Sequence, residues 1–321
     1  MPACLHCGDG LVGLIDDIRD WEYGVAWRSQ LVICPTCGLV THDPPVRSDQ
    51  IAHLYPGNYM AHGAASRSRS IYGRLKGILG RRSARGVAHH IPPGGTCLEV
   101  GCGNGSFLAE LARVRDDVEL VGVDIASVEI ADLPRFTFYR GQLEEVDFGG
   151  RQVDVIYCSN LIEHVPDPFR FLHKCAAILR PGGIIYGITP DHLSIDRFLW
   201  RRYWAGYHYP RHTFVFNHVN IRSILEKSGF APVEIRGSYG FWYLSFANRF
   251  IELPGTKKRG LLFAGVTALF LPFDLLVNRF RCHGSMKFVA RLPGGSRGSD
   301  RPSGLAVSAS RESPPGSGAA G

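Results

Sequence analysis

The run Leu98-Glu99-Val100-Gly101-Cys102-Gly103-Asn104-Gly105-Ser106 constrains this chain more than any other stretch. Cys97 to Val100 is a short apolar segment that reads as a buried strand, and three glycines at alternate positions follow it directly. Phe107, Leu108, Leu111 and Val114 then fall at helical spacing. Strand, glycine turn and helix predict a cradle for a phosphate or ribose, because glycine lets backbone N–H groups approach a nucleotide closely. The acid Glu99 stands two residues ahead of the first glycine, and Ser106 sits where a dinucleotide fingerprint would carry a further one. That substitution argues against a nicotinamide-dependent oxidoreductase.

The following segments extend the pattern. Glu119 to Ile125 predicts a second strand with Asp124 at its carboxyl end, where an acid can accept both hydroxyls of an adenosine ribose. Phe136 to Arg140 predicts a third, followed by Gly141-Gln142-Leu143-Glu144-Glu145. Val153 to Cys158 predicts a fourth, running into Ser159-Asn160-Leu161-Ile162-Glu163-His164-Val165-Pro166-Asp167-Pro168. A helix to Leu179, the turn Arg180-Pro181-Gly182-Gly183 and a strand from Ile184 to Thr189 come next. Parallel sheets bind ligands at the carboxyl ends of their strands, and residues 101–105, 124, 142 and 159–161 all fall at that edge.

The Glu-x-Gly-x-Gly-x-Gly run at 99–105, Asp124 and the Glu-His-Val-Pro-Asp-Pro run at 163–168 resemble class I S-adenosylmethionine-dependent methyltransferases of the small-molecule branch, over residues 91–293. The resemblance implies an α/β, Rossmann-like seven-stranded sheet whose last strand is antiparallel and lies at the edge. It implies S-adenosylmethionine as donor, held by Glu99, Gly101, Gly103, Gly105 and Asp124. Gln142 and Leu143 are expected along the adenine, with Asn160 completing the cofactor-binding set.

Beyond the fifth strand, Trp200 to Asn217 is dense in aromatic residues and histidines, as expected of a loop that closes over an acceptor. His208 and His212 are the candidate catalytic bases, since imidazole titrates near neutral pH. Either could instead orient the following helix at 219–229, and His164 is expected to hold its own loop by hydrogen bonds. Pro232 to Arg236 and Met286 to Leu292 predict the last two strands.

The chain begins with Cys4-Leu-His-Cys7 and Cys34-Pro-Thr-Cys37, each pair followed by glycine. Four thiolates at this spacing match a closed, structural zinc site, so residues 1–46 read as a zinc-ribbon-like module with Cys4, Cys7, Cys34 and Cys37 as the metal ligands. No stretch near Met1 resembles a signal peptide, which with the nine cysteines leads to the expectation of a reducing, cytoplasmic setting.

Charge narrows the partners. Arg67, Arg69, Arg74, Lys76, Arg81, Arg82 and Arg85 carry no acid among them and account for the whole formal charge of +7. The basicity therefore belongs to one helical linker at 47–90, which argues against nucleic acid as the partner. An insertion at 241–280 holds the apolar run Leu261 to Leu271 between basic residues, too short for a span of about 20 residues. Peripheral contact with the inner face of a membrane is expected there and through 67–85. Residues 294–321 are Gly-, Ser-, Pro- and Ala-rich and expected to be disordered. The sequence thus predicts methyl transfer to a small-molecule, sugar or lipid-like acceptor, at oxygen or carbon. Two other readings stay open: an RNA methyltransferase using the ribbon and basic helix, and a non-catalytic donor-binding scaffold. Asn160 is followed by Leu-Ile-Glu and not by the Pro-Pro-Tyr of many base methyltransferases, which weighs against RNA.

Overall fold

The computed structural model describes residues 2–55, 71–125, 133–238, 240, 242–250, 269 and 284–294. Strand β4 (Thr96–Val100) is buried along its whole length, so both faces of the sheet must be covered. Its neighbours are β5 (Glu119–Asp124) on one side and β7 (Val153–Ser159) on the other, both parallel to it. β6 (Phe136–Arg140) continues beyond β5, and β8 (Leu179–Pro190) beyond β7. Helices α1 (Ile71–Ala88) and α2 (Ser106–Val114) pack together, with Ala84, Val87, Leu108 and Leu111 fully buried in one core cluster with Leu120 and Tyr157. Helix α3 (Pro168–Ile178) starts where Asp167 Oδ1 accepts the backbone N–H groups of Phe169 and Arg170, with Pro168 in the first turn. It buries Phe171, Leu172 and Cys175 in the other large core cluster.

The full sheet has seven strands in the order β10-β11-β8-β7-β4-β5-β6, where β10 is Val233–Gly237 and β11 is Ser285–Arg291. β11 is the antiparallel strand, as expected, but it is not at the edge. It inserts between β8 and β10, pairing antiparallel with both, and β10 takes the edge. Phe288, buried on β11, meets β8 where Gly187 has no side chain: a Cβ there would lie 2.1 Å from the Phe288 ring. The strand expected at 184–189 is longer, because residues 179–183 extend its start.

The N-terminal residues form a second, antiparallel sheet from β1 (Val12–Ile15), β2 (Gln30–Ile33) and β3 (Val40–Asp43). Its fourth strand is β9 (Phe214–Val215), contributed by the aromatic loop and paired with β3 at Val40 and Thr41. The ribbon is therefore stitched into the main domain. Helix α4 (Ile195–Trp200) precedes β9 and helix α5 (His218–Lys227) follows it, the latter opened by a reciprocal capping box between Asn217 and Asn220.

Of the insertion expected at 241–280, helix α6 (Trp242–Phe250) and residue 269 are described. The rest of it, residues 295–321 of the tail, and residues 56–70 of the basic linker lie outside the described residues. Among the described residues, no helix is long and apolar enough to cross a membrane.

Candidate active site

The turn after β4 brings backbone donors to the acid at the end of β5. Gly101 N–H and Cys102 N–H both donate to Val123 O, and Gly103 N–H donates to Asp124 Oδ2 at 2.8 Å. Gly101, Gly103 and Gly105 all have positive φ, of 72°, 50° and 72°. At Gly101 the space is also closed, since a Cβ would sit 2.9 Å from Leu161 Cδ1. Asn160, at the end of β7, is one of four non-glycine residues with positive φ among the described residues, at 49°. Such conformations concentrate at functional sites, although asparagine tolerates them best.

Glu99 lies beneath this turn. It is 7% exposed, and its Oε2 is buried without a hydrogen-bond partner. Burial, reinforced by the nearby charge of Asp124, pushes its carboxyl well above the usual range. Leu143 is 3% exposed within the apolar core beside Val146 and Phe148, while Gln142 is half-buried at the turn beyond β6. Backbone donors, an acid at the tip of β5 and a buried carboxyl with one unpartnered oxygen make a polar edge whose chemistry fits an adenosine-type ligand.

The loop from Trp200 to Asn217 is anchored on the N-terminal sheet. Arg211, 1% exposed, makes a two-pronged ion pair with Asp20: Nη1 to Oδ2 at 2.8 Å and Nη2 to Oδ1 at 2.9 Å. Its Nε donates to His208 Nε2 at 2.9 Å, and its guanidinium lies 4.7 Å from the Tyr23 ring centroid. Burial alone would raise the Asp20 pKa, but the Arg211 charge and hydrogen bonds outweigh it and hold the carboxyl below its usual range. His208 Nδ1 pairs with Glu22 Oε1 at 2.9 Å, so both of its ring nitrogens are engaged.

His212 is 6% exposed. Its Nδ1–H donates to Gly206 O at 2.8 Å, which leaves the lone pair on Nε2, 3.9 Å from Glu163 Oε1. His164 Nδ1 lies 3.1 Å from Arg211 O and 2.9 Å from Tyr55 Oη; a proton on Nδ1 satisfies both contacts. Burial, followed by the charges nearby, drives His164 down to about 3 and His212 well below the usual imidazole value. Both are therefore neutral at physiological pH. The Tyr55 hydroxyl, 2.9 Å from His164 Nδ1, lies near the carboxylates of both Asp124 and Glu163.

The four N-terminal cysteines converge. Cys4 Sγ lies 3.6 Å from Cys37 Sγ, and Cys7 Sγ lies 3.4 Å from Cys34 Sγ. A tetrahedral zinc with Zn–S bonds of about 2.3 Å needs sulfur–sulfur separations of about 3.8 Å, so the set fits a closed metal site. Gly8 and Gly38 donate N–H bonds to Cys4 O and Cys34 O, forming the two knuckles. At Gly38 a Cβ would lie 2.7 Å from Asn217 Nδ2, which itself donates to Cys37 O.

Sequence reasoning did not single out Asp20, Glu22, Tyr55 or Arg211. The partners Arg211–Asp20 and His208–Glu22 lie about 190 residues apart, and no local period marks them.

This fold is that of an α/β methyltransferase domain. A family described as "Methyltransferase domain" matches residues 73–235, half of the chain, and the chain belongs to that family. Among its relatives, a "Probable S-adenosylmethionine-dependent methyltransferase" of Mycolicibacterium smegmatis is 28% identical over 160 residues, covering 47% of this chain and 57% of that protein. A "Ubiquinone biosynthesis O-methyltransferase" of Erwinia tasmaniensis is 28% identical over 173 residues, covering 49% of this chain and 69% of that one. The chain thus spans roughly half to two-thirds of the length of these two curated relatives. A solved Haemonchus contortus phosphoethanolamine N-methyltransferase 2 with S-adenosyl-L-methionine aligns at a TM-score of 0.48 and 17% identity, over 71% of this chain and 58% of that one.

Proposed function

We propose that this enzyme transfers the methyl group to a hydroxyl oxygen of a small, partly apolar molecule bound between the glycine edge and the Trp200–Asn217 loop. The observation that carries this reading is the buried His212 imidazole, whose Nδ1–H is committed to Gly206 O, so that its Nε2 lone pair can accept a hydrogen bond from an acceptor hydroxyl. The O-methyltransferase relatives support the same choice over carbon.

When bound, the donor supplies a methyl carbon already activated on a sulfonium. The chain's own task is then chiefly alignment, which can contribute about 7–11 kcal/mol where geometry is ideal. In this reading Asp124 receives the ribose hydroxyls, and the backbone at Gly101, Gly103 and Gly105 lines the donor, with Gln142, Leu143 and Asn160 beside it. Of the two loop histidines, His212 retains the Nε2 lone pair that can assist deprotonation, directly or through a bound cation, and His208 holds the loop through Glu22 and Arg211. The four cysteines hold a structural zinc whose role is to fix the N-terminal sheet against that loop. Peripheral membrane contact and a lipid-like acceptor belong to this proposal, supported by the exposed Phe198, Leu199 and Phe250 and the exposed Arg249.

The test is incubation of the purified enzyme with methyl-labelled donor and fractionated small molecules and lipids, followed by mass spectrometry of the labelled product. An O-methyl ether supports the reading. Label appearing only on nitrogen, carbon or RNA overturns it.

A further inference from the structure

Glu163, His164 and His212 form a second cluster of metal-ligating side chains, remote from the cysteines. One ligand atom from each lies within 4.8 Å of the others. Glu163 is fully buried, and both of its carboxylate oxygens lack a hydrogen-bond partner. A buried carboxylate whose oxygens make no hydrogen bond of standard geometry is costly to maintain, and each such group in a folded protein calls for an explanation. The Thr189 hydroxyl is the side-chain donor beside it, although the two make no hydrogen bond of standard geometry.

The two imidazoles carry the backbone contacts that ligating histidines use. Each places Nδ1 on a backbone carbonyl, His212 on Gly206 O and His164 on Arg211 O, the latter nitrogen also 2.9 Å from Tyr55 Oη; donation from Nδ1–H leaves the lone pair on Nε2. A carbonyl on the far nitrogen is the usual outer-shell support of a ligating histidine. The rings are in T-shaped contact at 4.5 Å. The loop is zipped to the cluster at its base, where Thr213 Oγ1 and Phe214 N–H both donate to Glu163 O.

We propose that Glu163, His164 and His212 bind a divalent transition-metal cation beside the donor edge. Two neutral imidazoles and one carboxylate suit zinc, iron(II), manganese or cobalt, and are a poor set for calcium or magnesium, which take mainly oxygen. Ligand bonds of about 2.0–2.2 Å put ligand atoms about 3.4 Å apart around a tetrahedral ion, so modest side-chain rotation closes the present spacing. Three protein ligands leave at least one coordination position open, as in catalytic metal sites and unlike the cysteine site. Resting on the O-methyl-transfer reading, that position would receive the acceptor hydroxyl and lower its pKa so that its proton leaves to solvent, with His212 assisting through the ion as a ligand.

The experiment counts metal and needs no acceptor. The full chain, with Glu163→Gln and His212→Gln variants, is produced in cobalt-supplemented minimal medium, freed of loose ions on chelating resin, and assayed for cobalt per chain by mass spectrometry. The expected result is one equivalent fewer in both variants than in the unaltered protein. The thiolate-to-cobalt absorption from the cysteine site serves as the folding control in each. Equal cobalt content in the unaltered protein and a folded Glu163→Gln variant overturns the proposal. Because the count is independent of turnover, a failed search for an O-methylated product leaves this result standing, and the reverse also holds.

Discussion

The Asp20–Arg211 pair is where the acceptor loop meets the N-terminal sheet, and Asp20→Asn probes it with almost no change in volume. The two side chains are 1% and 0% exposed. Asp20 Oδ1 accepts from Glu22 N–H, Tyr23 N–H and Arg211 Nη2, while Oδ2 accepts from Val25 N–H and Arg211 Nη1. An asparagine must place its NH₂ group at one of these positions, and both are surrounded by donors. Its better choice faces Val25 N–H and Arg211 Nη1, leaving donor against donor and a buried guanidinium without its counter-charge. Removing one member of a buried ion pair costs about 3–5 kcal/mol, a large part of a typical total of about 5–15 kcal/mol.

Urea denaturation should therefore show a loss of that size, and hydrogen exchange should accelerate across residues 205–217. A double change to apolar residues, Asp20→Leu with Arg211→Met, should cost less than either charge-removing single change, because it leaves no buried charge. The pH dependence has a definite sign. The folded carboxyl titrates below the unfolded value of about 3.9, so its contribution is complete above that pH. It is lost as pH falls through the folded value, and Asp20→Asn should lack that component of acid destabilisation. A loss below about 1 kcal/mol with unchanged exchange in the loop would refute the reasoning.

Asp124→Ala removes the acceptor of Gly103 N–H and the proposed ribose ligand, so calorimetry should show donor affinity weakened about 10- to 150-fold, from about 1.5–3 kcal/mol for a charged hydrogen bond. Unchanged affinity would reject that assignment. Gly101→Ala forces a side chain into φ of 72° against Leu161 and should abolish measurable donor binding, with thermal stability lowered by more than about 1 kcal/mol. Normal binding would show that the turn is more yielding than its geometry implies. Cys34→Ser or strong chelation should release the proposed zinc and raise proteolytic cleavage in both the N-terminal sheet and the 200–217 loop, since Asn217 and Asn220 bond to Cys37 O. Cleavage confined to residues before 46 would separate the two.

Local chemistry carried much of this molecule in its sequence. The glycine turn, Asp124 and the cysteine knuckles depend on residues close together or on a repeated strand-and-helix period, and those signals are readable one residue at a time. The order of the sheet beyond β8 was less accessible. A single antiparallel strand can sit at an edge or slip inside, and what decides is packing such as Phe288 over Gly187. The pairing of His208 with Glu22, and of Arg211 with Asp20, was hidden because side chains nearly two hundred positions apart leave no mutual mark. His208 and His212 looked equivalent as bases; their backbone and side-chain partners make them different. Glu163 and His164 belonged to a recognised run, yet nothing in that run announces His212 as their neighbour.

The two-residue strand Phe214–Val215 has a consequence for how the polypeptide is made. As the chain emerges, Cys4 through Cys37 can gather a metal early, but β3 keeps an unsatisfied edge at Val40 and Thr41 until position 215 has been synthesised. An open edge of that kind invites pairing with the wrong strand. Excising residues 1–46 as a separate fragment would make that temporary condition permanent, so such a fragment should self-associate through the edge that Phe214 and Val215 normally cover.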